Sequence, residues 1–139
     1  MKKPWIWLRV AAVFLFLFVL AHGAGMLAGA GKFRDAQERA VIEALENYRF
    51  DIFGTTRSHG DFYTGLNWFL TVSTLVLALL TWQLSSVSRR EPRSARPMTV
   101  TLCLGAIAFT VLCCLYFFIL PLALYAGAAI ALAIAAWTA

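Results

Sequence analysis

The chain has 139 residues, of which 61% are hydrophobic and only 14% charged, against about 25% charged in a typical soluble domain. That length leaves room for one domain, residues 1–139, and excludes a separate soluble catalytic module. The net charge of +5 does not indicate nucleic acid, because the basic residues cluster in the gaps between apolar stretches, where they set topology.

Four apolar stretches cover residues 5–29, 62–83, 98–120 and 122–137. A helix needs about 20 residues to cross a hydrocarbon core of about 30 Å, and the fourth stretch is slightly short. Spanning backbone must satisfy its own hydrogen bonds, as helices or as a closed barrel. Residues 10–20 are continuously apolar, without the alternation of a barrel strand. The expectation is an all-α polytopic membrane protein, a four-transmembrane-helix bundle whose partner is the lipid bilayer.

The first stretch follows Lys2 and Lys3 and ends near Ala28-Gly29-Ala30, which resembles a cleavable leader. Its apolar character runs past Leu20, and Trp5 and Trp7 form an interfacial belt, so a retained span is expected. Gly25 and Gly29, extended by Ala21, give this span a small face suited to close helix contact.

In the 30–60 segment, Lys32, Arg34, Arg39, Arg49 and Arg57 are balanced by Asp35, Glu38, Glu43, Glu46 and Asp51. The helical spacing of Val41, Ala44, Leu45, Tyr48 and Ile52 predicts an amphipathic helix over about 33–48, and Gly54-Thr55-Thr56 reads as a turn back into the membrane. The 85–97 link instead carries Arg89, Arg90, Arg93 and Arg96 with Glu91 as its one acid. Positive residues mark the cytoplasmic side, so both termini and this link are expected inside a bacterial inner membrane, with 30–60 outside.

Asn67, Thr71, Thr74, Ala78 and Thr81 fall on one face of span two. An interhelical seam is the first explanation and a polar lining for a bound molecule the second. Cys103, Cys113 and Cys114 form no Cys-x-x-Cys pair and read as packing residues. Pro121 is expected to make an external turn between spans three and four. Span four repeats small residues at Ala123, Gly127, Ala131 and Ala135.

Polar groups gather at the entrance of span two. His22 lies 17 residues beyond Trp5, about 25 Å along a helix, which brings it toward the level of Arg57, His59 and Asp61. Tyr63, Asn67 and Tyr116 complete this candidate ligand-binding set. Ionisable groups at a hydrocarbon edge need partners. The first explanation is a clamp in which Asp61 pairs with Arg57 or His22. The second is a site for a lipophilic or anionic molecule, and the third is haem or metal ligation through His22 and His59. No catalytic residue, cofactor or metal is assigned.

His22-Gly23, Arg57-Ser58 followed by Asp61-Phe62-Tyr63 and Gly65, and Tyr116-Phe117-Phe118 with Pro121, resemble small bacterial four-helix inner-membrane proteins to which no activity is attached. The resemblance implies the four-helix architecture. The expected function is that of a non-enzymatic helper subunit or small oligomer, through self-association or a larger membrane complex. The alternative is a membrane enzyme or transporter using the external His/Arg/Asp cluster.

Overall fold

A computed structural model describes residues 3–29 and 31–139. Lys2 and Ala30, which contribute to the leader-like pattern, lie outside them. The element order is α1 (Pro4–Gly29), α2 (Ala36–Asn47), β1 (Arg49–Ile52), β2 (Thr55–Ser58), α3 (His59–Arg90), α4 (Pro92–Tyr116) and α5 (Ile119–Thr138). Helices α1, α3, α4 and α5 are long and apolar enough to cross a membrane. Their outward-facing side chains are themselves apolar: Leu20, Phe69, Leu104 and Ile130 are 68%, 71%, 63% and 63% exposed. Apolar surface of this extent is unusual on a soluble monomer, and the four helices are compatible with an integral membrane protein.

The chain forms two compact units. One, residues 1–21 and 73–139, contains the first part of α1, most of α3, and α4 and α5. Its core is built from small side chains: Ala11, Ala78, Ala95, Ala128 and Ala135 are each fully buried. Small residues let backbones approach, and close packing is the main attraction where lipid is the solvent. The small face of α5 is occupied within the protomer. A Cβ on Gly127 would come within 2.7–2.9 Å of the Phe14 ring, and Ala131 and Ala135 are buried beside it. Tyr125 anchors the centre, its ring 4.8 Å from Phe18 and 5.1 Å from Phe109. Its hydroxyl lies 2.7 Å from that of Thr74.

The polar face of α3 is a buried seam, as its spacing suggested. Thr71, Thr74, Ala78 and Thr81 are buried, and the face continues through Ser85 and Ser88. The helix therefore runs to Arg90 rather than stopping near 83, and the expected 85–97 link is almost wholly helical. The break falls at Glu91 (φ −133°, ψ 76°). Pro92 disfavours helical backbone at the residue before it, then opens α4 at a position that needs no N–H bond. Pro121 likewise makes no turn. The chain breaks at Phe117 and Phe118, and Pro121 is buried in the first turn of α5, where its missing N–H has no helical partner to lose.

The other unit, residues 22–72, contains the expected charged helix, shortened to α2, and a hairpin that the sequence reading missed. Asp35 caps α2 by accepting from the Glu38 N–H at 2.7 Å. Arg34 donates to the Glu38 carboxylate at 2.9–3.0 Å and holds that carboxyl below its ordinary pKa. Strands β1 and β2 pair antiparallel from Arg49↔Ser58 to Ile52↔Thr55. Phe53 and Gly54 connect them in left-handed backbone (φ 48° and 78°), the geometry of a two-residue type I′ turn.

Candidate functional site

The residues expected to converge at the entrance of α3 form two separate local arrangements. Ser58 ends β2 and precedes α3. Its backbone N–H donates to Asp61 Oδ2 at 2.9 Å, while the Asp61 N–H donates to Ser58 Oγ at 3.1 Å. This reciprocal pair is a capping box: each side chain satisfies a backbone donor that the helix start leaves without a partner. Among the described residues Asp61 has no ion pair within 4.0 Å, and Arg57 instead donates to the Thr56 carbonyl at 3.0 Å. The expected Asp61 clamp between helices is thus replaced by a cap within α3.

His59 packs among rings. It stacks on Tyr48 (5.9 Å, 8° between planes) and lies 4.9 Å from Phe50, which in turn stacks on Phe62 at 6.1 Å. A Cβ on Gly60 would meet Glu46 Cγ at 3.0 Å, so this glycine permits the close approach of α2 to the start of α3. The aromatic group ties the hairpin to the helix that follows it.

His22 lies elsewhere. Its Nδ1 is 2.8 Å from Thr71 Oγ1, and Thr71 is 12 residues beyond His59 on α3, about 18 Å along the axis. The Thr71 hydroxyl also lies 2.9 Å from the Asn67 carbonyl, and the Asn67 amide donates to the Tyr63 carbonyl at 2.8 Å. A consistent proton arrangement has His22 Nδ1–H donating to Thr71 and Thr71 donating to Asn67. His22, Asn67 and Tyr63 thus follow one line along α3, while Arg57, His59 and Asp61 stay at its first turn. Tyr116 ends α4, 75% exposed, in the other unit. The 18 Å offset is too long for His22 and His59 of one protomer to ligate a single metal ion. Among the described residues no group of three or more His, Cys, Asp or Glu is placed to hold a metal.

A second polar arrangement includes Arg89 and Arg90, whose sequence positions point only to topology. Arg9, Ser86, Arg89 and Arg90 line a cavity of about 330 Å³. The Arg9 guanidinium sits between two indoles, 5.1 Å from the centroids of both Trp5 and Trp82, and Arg89 lies 5.5 Å from Trp5. Arg9 Nε donates to Ser85 Oγ at 3.4 Å. Among the described residues no carboxylate lies within 4.0 Å of any of these three arginines. Glu91, the adjacent acid, accepts from the Ser94 hydroxyl at 3.1 Å. The sequence signal was Arg9 itself, a charge near the start of an apolar span just after Trp5 and Trp7.

No protein-family model, curated protein or solved structure matches this chain.

Proposed function

We propose that this is a multi-pass protein of a bacterial inner membrane, with both termini cytoplasmic and the α2–hairpin segment outside. It works as a non-enzymatic subunit, in a homo-oligomer or a larger membrane complex. One observation carries the subunit assignment: the small face at the end of α1 is open. A Cβ on Gly23, Gly25 or Gly29 would meet nothing within 4 Å, whereas the comparable face of α5 is filled by Phe14 and its neighbours. In a bilayer, glycines four residues apart on an open helix face favour contact with another helix. The arginine bias of the α3–α4 junction supports the sidedness.

Leucine at Gly25 and Gly29 tests this reading. Among the described residues nothing lies within 4 Å of a Cβ at either position, so the double variant should fold and melt like the parent while losing cross-linked or co-purifying partner. An unchanged assembly in mild detergent would remove the basis for the assignment. Labelling of a cysteine placed at Leu45 from the cytoplasmic face alone would overturn the sidedness.

A further inference from the structure

We propose that the cavity lined by Arg9, Ser86, Arg89 and Arg90 is a binding site for a phosphate group, fitted to the headgroup of an anionic phospholipid. The inference rests on the chain standing in a bilayer and not on the glycine contact of α1.

Charge comes first. Three arginines, Arg89 and Arg90 of them exposed, line one cavity of about 330 Å³, and among the described residues no carboxylate lies within 4.0 Å of any of them. Like charges held together at the edge of a low-dielectric region repel, and a bound anion is the direct way to offset that repulsion. Helix dipoles account for only part of the arrangement. Arg89 and Arg90 lie in the last turn of α3, where a cation is favoured. Arg9 lies in the second turn of α1, close to the end that favours anions, so the α1 dipole gives no reason for its presence.

Preorganisation comes second. The Arg9 guanidinium lies 5.1 Å from the ring centroids of both Trp5 and Trp82, and its Nε donates to Ser85. A guanidinium carries five N–H donors in a planar fork, and contact with two rings and a serine restricts the direction of that fork before a ligand arrives. Phosphate oxygens match it through paired, charge-assisted hydrogen bonds. Ser86 also lines the cavity.

The third argument is level. Tryptophans concentrate where hydrocarbon meets headgroups, and Trp5 and Trp82 form two walls around Arg9. That is the depth at which phospholipid phosphates lie. It favours a lipid headgroup over a phosphate ion from solution, although both present the same oxygens.

The test uses the full chain in phosphatidylcholine nanodiscs carrying a small fraction of phosphatidylglycerol, with retained lipid read by native mass spectrometry. The parent protein should hold phosphatidylglycerol over phosphatidylcholine. Arg9→Gln and Arg89→Gln should each lower that retention about tenfold or more, the loss expected for one charge-assisted hydrogen bond. Arg93→Gln with Arg96→Gln removes two charges from the same basic region without touching the cavity and should leave retention within about twofold. Arg89→Lys keeps the charge and guards against a folding artefact; it should retain part of the preference.

Inorganic phosphate added to the detergent-solubilised protein supplies the other arm, read through indole fluorescence. Quenching or a shift that is lost in Arg9→Gln, with displacement of the lipid, supports the site and makes free phosphate its ligand. Lipid retention insensitive to inorganic phosphate supports the site with the lipid as ligand. Equal losses from the cavity and the Arg93/Arg96 variants would reduce the effect to diffuse surface charge and overturn the proposal. Unchanged retention in Arg9→Gln and Arg89→Gln would overturn it as well.

Discussion

At the start of α3, Asp61 exchanges hydrogen bonds with Ser58, Arg57 turns to a neighbouring carbonyl and His59 is stacked among rings. At its end, Arg89 and Arg90 share a cavity with Arg9, and among the described residues no acid is within ion-pair reach. In sequence the first region is the more suggestive, because it mixes histidine, acid, base and tyrosine in a short run. In space it is the more self-contained. Mixed charges close together in a chain can satisfy one another locally through caps and turns, and the requirement for an outside partner then disappears. A group of like charges has no such solution. The comparison teaches that the sign pattern of a cluster says more about an absent ligand than its chemical variety does.

The largest effect that would sharpen the contrast between filled and open surfaces comes from Gly127. Leucine there must enter space held by the Phe14 ring, at 2.7–2.9 Å from the first added carbon. Overpacking of this kind costs about 1–3 kcal/mol, so Gly127→Leu should lower the unfolding temperature sharply. Shortening the obstacle with Phe14→Ala in the same chain should recover part of the loss. Loss of assembly in Gly127→Leu alone would therefore reflect damage to the protomer, unlike the same loss at Gly25 and Gly29. Equal melting of parent and Gly127→Leu would show that α1 and α5 do not meet there.

The four long apolar helices were legible because hydropathy over about 20 residues is a strong signal, and the Thr/Ala seam was legible because its spacing alternates between three and four. Their ends were less so. Hydropathy falls at Gln83, yet α3 continues to Arg90, since Ser85 and Ser88 remain on the buried face and a helix needs no lipid to continue. The hairpin was missed for a different reason. Its turn is Phe53-Gly54 rather than the usual Asn-Gly or Asp-Gly, and Ile52 also completed the apolar repeat of α2. Phe53, fully exposed and in left-handed backbone, is a residue that turn preferences would place almost anywhere else. The length of α1 brings His22 toward the first turns of α3, but its contact there is Thr71, three turns inside that helix, rather than Asp61 or His59.

A smaller effect separates a packed polar seam from a functional lining. Thr74 and Tyr125 are buried at 1% and 2% exposure and hydrogen-bonded at 2.7 Å. If the bond is structural, Thr74→Val and Tyr125→Phe should each cost about 1 kcal/mol, within the range for polar contacts between membrane helices. The double variant should cost less than the sum, because no buried hydroxyl is then left without its partner. Strict additivity in thermal or steric-trapping measurements would indicate that the hydroxyls do not interact.

The most local effect bears most directly on the start of α3. A capping box predicts local consequences: Ser58→Ala removes the side-chain acceptor for the Asp61 N–H, and such caps are worth about 0.5–2 kcal/mol. Asp61→Asn keeps an oxygen acceptor for the Ser58 N–H and should cost less than Ser58→Ala. Hydrogen exchange is the sharpest measurement, because both changes should speed exchange in residues 59–63 while leaving the middle of α3 protected. The order of the two variants matters as much as their size. A clamp between helices would require the Asp61 charge, so Asp61→Asn would be the more damaging and its effects would spread to α1. A cap requires geometry rather than charge. Faster exchange in Asp61→Asn than in Ser58→Ala, or loss of protection around His22 in either, would restore the clamp and weaken the contrast between the two ends of this helix.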